Sequence, residues 1–204
     1  MKYHLFIDNF RGFTNTCIPI TDVNFLVGQN STGKTSVMGL LKLFSGPRFL
    51  MQQHQAFGDE HVTFGHFSDM VSVHSEDRSY FHIGLVWESL GEKQGEKQAA
   101  GWLCTYVEDQ GLPQLFSYKF YRDSRSMSIR FTGDQIYFKT ETHQTLLTEE
   151  EIISTLLPRW VNERSSHTNG YEKLDAAGLP GRLPILVALA MVGTVGDSPN
   201  AKRN

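Results

Sequence analysis

The stretch that most limits what this chain can become is Gly28-Gln29-Asn30-Ser31-Thr32-Gly33-Lys34-Thr35, a complete G-x-x-x-x-G-K-[ST] octet. Gly28 and Gly33 permit backbone conformations and a close approach that a side chain would block. Successive N–H groups of such a loop turn inward as an anion nest, and the N-terminus of the following helix reinforces it. The sequence therefore assigns phosphate contact to residues 28–36: Lys34 as a point charge on the β- and γ-phosphates, Thr35 as a hydroxyl ligand for Mg²⁺, and Ser36 as a further hydroxyl near the α-phosphate.

The flanks fit that reading. Asp22-Val23-Asn24-Phe25-Leu26-Val27 is a short apolar run that predicts a strand leading into the loop. Thr35 to Phe44 leaves it as a helix, with Val37, Leu40, Leu41 and Phe44 at helical spacing. Met38 and Leu43 widen the apolar stripe, so the helix is expected to be covered on more than one side.

Composition bounds the rest. The 204 residues, 40% hydrophobic and 20% charged with 14 Phe, can fill the core of one domain. A net charge of −3 gives no dominant basic surface for nucleic acid. Cys17 and Cys104 lie far apart outside any C-x-x-C pair and read as free thiols of a reduced cytosol. The first residues, Met-Lys-Tyr-His-Leu-Phe-Ile-Asp, are too polar for a signal peptide. The one long apolar run, residues 183–195, is too short to span a bilayer. A cytoplasmic protein with no membrane partner is expected.

Along the chain, residues 1–147 read as one lobe and residues 148–204 as a helical and irregular segment of the same domain. Strands are expected at about Tyr3–Asn9 and Thr16–Ile20, joined by the turn Arg11-Gly12-Phe13-Thr14-Asn15. Residues 47–78 read as irregular. From Tyr80 to Lys139 five aromatic, β-branched segments alternate with turn residues, which predicts an antiparallel meander. Phe116, Tyr118 and Phe120 are expected on one of its faces, Lys119 and Tyr121 on the other. Thr148 and Glu151 form a capping box ahead of Ile152, Ile153, Leu156 and Leu157, and Pro158 is expected to end or kink that helix. Ser165 to Gly181 reads as loop.

Three groups of residues carry a resemblance: Ile7-Asp8-Asn9-Phe10-Arg11-Gly12-Phe13; Ile18-Pro19-Ile20; and Val23 through Ser36. Together they resemble the N-terminal segment of ABC/SMC-like ATPases, more narrowly the RecF-like and OLD (overcoming lysogenization defect) group. Phe64 to Val71 ahead of a β-rich stretch is similar to them as well. The resemblance implies an α/β P-loop NTPase core with an attached antiparallel β-lobe, and ATP with Mg²⁺ as cofactors. It also implies a homodimer through the ATPase domain, and DNA or a nuclease as a possible partner, in DNA transactions or phage defence. Asn30 would hold the loop by side-chain to backbone hydrogen bonds. Arg11 matches a family residue near the nucleotide; a solvated turn arginine is the competing reading.

The chain departs from that family in lacking a Walker B strand ending in Asp-Glu, a signature serine-glycine segment and a switch histidine. Leu186 to Val195 followed by Gly196-Asp197 is a poor match, and a packed apolar helix is the better reading. The chain thus reads as an incomplete ATPase domain. Hydrolysis is expected only with a Walker B acid and a dimer partner. Alternatives are a nucleotide-responsive interaction module without turnover, and a small-molecule kinase. His54, His61, His66 and His74 lack the close spacing of a zinc site. Glu149-Glu150-Glu151 suits a helix start.

Overall fold

The computed structural model describes residues 2–29, 33–45, 57, 63–90, 97–122, 124–133, 135–163 and 170–174. Asn30, Ser31, Thr32, His54, His61, residues 91–96, the 183–195 run and Asp197 lie outside them.

One antiparallel sheet organises everything described. Its strands are β1 (Tyr3–Asp8), β2 (Thr16–Ile20), β3 (Tyr80–Leu90), β4 (Lys97–Asp109), β5 (Leu112–Arg122), β6 (Arg125–Thr132), β7 (Gln135–Thr142) and β8 (Glu172–Leu174). The spatial order is β2-β1-β3-β4-β5-β6-β7-β8. The meander from β3 to β7 follows the alternation in the sequence. Between β4 and β5, Gln110 and Gly111 both have positive φ, 51° and 81°, the geometry of a two-residue hairpin turn whose twist matches the strands. Pro19 sits exposed on β2, an edge strand, where a missing N–H leaves no ladder bond unmade.

Period two gives the sheet two distinct faces. On one, Leu5, Ile7, Phe81, Ile83, Trp102, Cys104, Tyr118 and Phe120 meet α1 (Lys34–Ser45) through Val37, Leu40 and Leu43. Phe44 of α1 stands edge-on to Trp102 at 5.2 Å. Phe57, Phe64 and the one-turn helix α2 (Phe67–Met70) close the end of this layer against Phe10 and Phe81. On the other face, Phe6, Val86, Leu103 and Tyr121 are covered by a helical strap. The strap consists of α3 (Glu149–Glu151), a π turn (Ile152–Leu156) and α4 (Leu157–Asn162), and it buries Ile152, Leu156, Leu157 and Trp160.

The strap begins as its sequence predicts. Thr148 Oγ1 accepts from the Glu151 N–H at 3.2 Å, and the Thr148 N–H donates to Glu151 Oε2 at 2.8 Å. Of the two outcomes expected at Pro158, the helix does not end there: it runs on to Asn162. Proline has no N–H to offer the preceding turn. The chain widens there instead, and the Leu157 N–H donates to the carbonyl of Ile152, five residues back. At its ends the strap is tied to the sheet by two polar contacts: His4 Nδ1 with the Glu149 carboxylate, and the ion pair of Lys119 Nζ with Glu163 Oε2 at 3.0 Å. Lys119 Nζ also donates to the Trp160 carbonyl at 2.8 Å.

Four expectations need correction. Asp22–Val27 forms no strand, and residues 21–29 are exposed throughout. Met38 is 62% exposed, so α1 is covered on one side rather than on several. Phe116 leaves the face of Tyr118 and Phe120, because the register shifts between Thr105 and Tyr106 and β5 carries an extra residue there. Residues 172–174, inside the stretch read as loop, add β8 to β7. Among the described residues every strand pair is antiparallel.

The strap face also holds a row of polar side chains. Asp8, His82, Thr105, Ser117 and Arg130 stand opposite one another on β1, β3, β4, β5 and β6. All are buried. His82 Nδ1 meets Asp8 Oδ2 at 3.1 Å, and Ser117 Oγ donates to Thr105 Oγ1 at 2.9 Å.

Candidate phosphate-binding site

The loop ends where α1 begins. The Val37 N–H donates to the Gly33 carbonyl at 3.0 Å and closes the first helical turn. Gly33 has φ +88°, and a Cβ built there would stand 2.4 Å from Cζ of Phe13. The residue is glycine for both reasons: the backbone is left-handed, and an aromatic ring from the β1–β2 turn closes over it.

Lys34 reaches back over the loop. Its Nζ donates to the Gly28 carbonyl at 2.9 Å and also to the Gln29 carbonyl. The ammonium is thus held above the loop backbone, at the start of the helix, where the dipole and free N–H groups favour an anion. Thr35, next to it, is exposed in the first turn. Ser36 is buried.

Ser36 is buried partly because Arg11 reaches it. Arg11 has φ +52°, which turns the chain out of β1, and its N–H donates to the Met70 carbonyl at 2.6 Å. Its guanidinium donates to Ser36 Oγ and to the Phe64 carbonyl, each at 3.2 Å, and lies 4.9 Å from the Phe64 ring centroid. The turn arginine is therefore a bridge between the start of α1 and residues 64–70. Beside it, Asn9 Nδ2 donates to the carbonyls of Asp77 and Tyr80 at 2.7 and 2.6 Å. The Asn-Phe-Arg sequence serves the fold with all three residues: Asn9 joins strand ends, Phe10 is fully buried and Arg11 meets the helix.

Gly28, Gln29, Gly33, Lys34, Thr35, Ser36 and Arg11 thus gather at one end of α1. The sequence did not reveal the Phe13 lid on Gly33, because nothing in the motif itself specifies which ring closes over a glycine. Nor did it reveal a second concavity, a cleft of about 220 Å³ on the strap face lined by Asp77, Ser79, His82, Thr105, Ser117 and Glu163. Strand register brings His82, Thr105 and Ser117 together, and the residues ahead of β3 and the end of the strap supply the rest.

Other chemistry is constrained. Among the described residues no three His, Cys, Asp or Glu side chains cluster as a metal site. Both cysteines are free thiols. Burial pushes Cys17 and Cys104 upward in pKa, away from the thiolate form a nucleophile needs. Burial lowers the Lys119 ammonium to about 8, and Glu163 works against that shift. Tyr118 and Phe120 are core residues, so β5 offers no aromatic stacking surface for single-stranded nucleic acid through them. Among the described residues no helix is long and apolar enough to cross a membrane.

No curated protein and no solved structure matches the chain. Residues 1–95, from β1 through the loop and α1 to β3, match the family model of an AAA ATPase domain, and this part of the chain is similar to an ATP-binding ATPase module.

Proposed function

We propose that the chain is the nucleotide-binding part of an OLD/SMC-like ATPase that takes Mg²⁺–ATP on residues 28–36. The observation that carries this reading is the convergence of Lys34, Gly33, Ser36 and Arg11 at the N-terminus of α1, inside the segment similar to an ATPase domain. The fold proposed with it is an α/β P-loop NTPase core with an attached antiparallel lobe, of which the antiparallel sheet is the lobe.

Binding begins with an exchange of partners. Lys34 leaves the carbonyls of Gly28 and Gln29 for phosphate oxygens, a stronger, charge-assisted contact. The loop N–H groups and the helix dipole hold the remaining charge. Thr35, exposed in the first turn, fits a hydroxyl ligand for Mg²⁺, which would neutralise charge between the β- and γ-phosphates. Arg11 is within reach of the same end of the helix and would release Ser36 to engage the nucleotide.

Hydrolysis by this module is proposed only in the presence of a carboxylate that positions water and a second protomer that completes the site. A homodimer acting on DNA or with a nuclease, in a phage-defence setting, is the physiological form of the proposal. The first test is calorimetry with Mg²⁺–ATP. Lys34→Ala is expected to weaken binding by about 1.5–3 kcal/mol, roughly tenfold to a hundredfold. Equal affinities for both proteins would remove the reading.

A second reading is a nucleotide-responsive module without turnover, which the cations and hydroxyls gathered at the start of α1 also suit. Phosphate release separates the two. Background rates at saturating Mg²⁺–ATP support the module, whereas turnover near ~1 s⁻¹ shows a complete ATPase.

A further inference from the structure

The cleft on the strap face has a polar floor. His82, Ser117 and Thr105 line it and are 1%, 3% and 7% exposed. Taking such groups out of water is costly unless they find partners. His82 has Asp8, and Ser117 Oγ donates to Thr105 Oγ1 at 2.9 Å. A hydroxyl both donates and accepts, however. The Thr105 proton meets no acceptor among the described residues. The hydroxyl pair therefore presents one O–H donor, with acceptor lone pairs beside it, to whatever fills the cleft.

The walls are of two kinds. The extra residue on β5, at the step between Thr105 and Tyr106, puts Phe116 beside Ser117 on the cleft, and Val107 adds to this apolar side. Asp77 and Glu163 supply carboxylates. Asp77 Oδ1 accepts from the Ser79 N–H at 3.0 Å and from the Ser79 hydroxyl, which fixes how that carboxylate stands. Burial works to raise the Glu163 pKa, but Lys119 and Arg159 outweigh it and hold the group below the usual carboxylate range. Among the described residues that line the cleft there is no lysine or arginine.

We propose that this cleft binds a small amino alcohol, its ammonium held by Asp77 and Glu163 and its hydroxyl by Thr105 and Ser117, with the carbon skeleton against Val107 and Phe116. The lining selects that class against its neighbours. An anion meets two like charges with no lining cation to answer it. A plain amine leaves the Thr105 proton unanswered, because an ammonium only donates. A neutral polyol satisfies the hydroxyls but forgoes the charge-assisted bonds to the carboxylates, which are about twice as strong as neutral ones. Drug-sized ligands occupy about 300–1,000 Å³. A cleft of about 220 Å³ suits a molecule of a few heavy atoms. It lies on the sheet face away from α1, and its ligand requires no nucleotide on residues 28–36.

The test is an NMR titration of the full chain, following the amide signals of His82, Thr105 and Ser117 with three probes of nearly one shape. Serinol carries an amine and hydroxyls, glycerol has a hydroxyl in place of the amine, and isopropylamine lacks the hydroxyls. Serinol is expected to shift these signals saturably and to bind about tenfold or more tightly than either isostere, the scale of one hydrogen bond to a charged group. Asp77→Asn keeps the oxygen that Ser79 uses. It should weaken serinol about tenfold and leave glycerol unchanged. Thr105→Val should erase the advantage of serinol over isopropylamine, and Thr105→Ser should retain it. Should Thr105→Val fail to fold, Asp77→Asn, at an exposed position, decides alone. No saturable shift, an isostere that binds as tightly as serinol, or a serinol affinity that ignores Asp77→Asn overturns the proposal.

Discussion

The two arms of the phosphate loop carry similar apolar patterns and meet opposite fates. After the loop, α1 seats Val37, Leu40 and Leu43 in the sheet's core. Before it, Val23, Phe25 and Val27 face water. The difference lies in what each can reach. A helix directly above a finished sheet finds its cover in strands already paired, whereas a segment that leaves an edge strand finds none among the described residues. Hydrophobic pattern thus tells which side of an element wants burial and leaves open whether a cover exists.

The sharpest way to break this comparison is to cut into α1. Leu40, fully buried, is expected to cost about 2–5 kcal/mol when changed to Ala, measured by denaturant unfolding. Met38→Ala on the open side should change stability by less than about 0.5 kcal/mol. A Met38 effect approaching that of Leu40 would show that α1 has a second covered side.

The covered layers can be probed by pH as well. Lys119 has a folded pKa of about 8 against an ordinary 10.5, chiefly through burial. Between those values the unfolded chain holds a proton that the folded chain has shed. Stability therefore rises with pH across that window, and the charged lysine costs the fold up to ~3 kcal/mol below it. Cys104, Tyr106 and Tyr118 oppose the rise above about pH 9, since burial keeps their protons on in the folded state. Lys119→Met isolates the lysine contribution: between pH 7 and 10 its stability should fall relative to that of the wild type. Parallel profiles would mean that Lys119 is better hydrated than its burial implies.

A smaller effect than that of Leu40 or Lys119 is expected at Gly33, between the two arms. Gly33→Ala forces a left-handed residue with a side chain against the Phe13 ring and should cost about 1–2 kcal/mol. Combining it with Phe13→Ala should recover the steric part of that loss. A double variant no better than Gly33→Ala would assign the whole cost to backbone strain.

Much of this was legible in the sequence. Alternation gave the meander, and Thr148 with Glu151 gave the start of the strap, because both depend on neighbours a few residues away. That Gly33, Lys34 and Thr35 open a helix followed from the glycine, lysine and hydroxyl spacing. What escaped depended on distant partners or on local register. Phe116 changed face through one extra residue on β5, Pro158 was absorbed by a π turn, and Arg11 found Ser36 and Phe64 only after three segments met. Residues 172–174 are too few to advertise a strand, and β7 recruits them.

The polar row across β1, β3, β4, β5 and β6 has a consequence for how the sheet assembles. In an all-apolar layer, sliding one strand by two residues keeps every side chain on its own face and costs only imperfect fit. Here such a slide would part Asp8 from His82 or Ser117 from Thr105, stranding buried polar groups against hydrocarbon. Each orphaned group costs about 1–3 kcal/mol, and more if charged. Asp8, His82, Thr105 and Ser117 therefore act as the notches of a key. They add little to the depth of the native well and make the neighbouring wells, one pleat to either side, shallow.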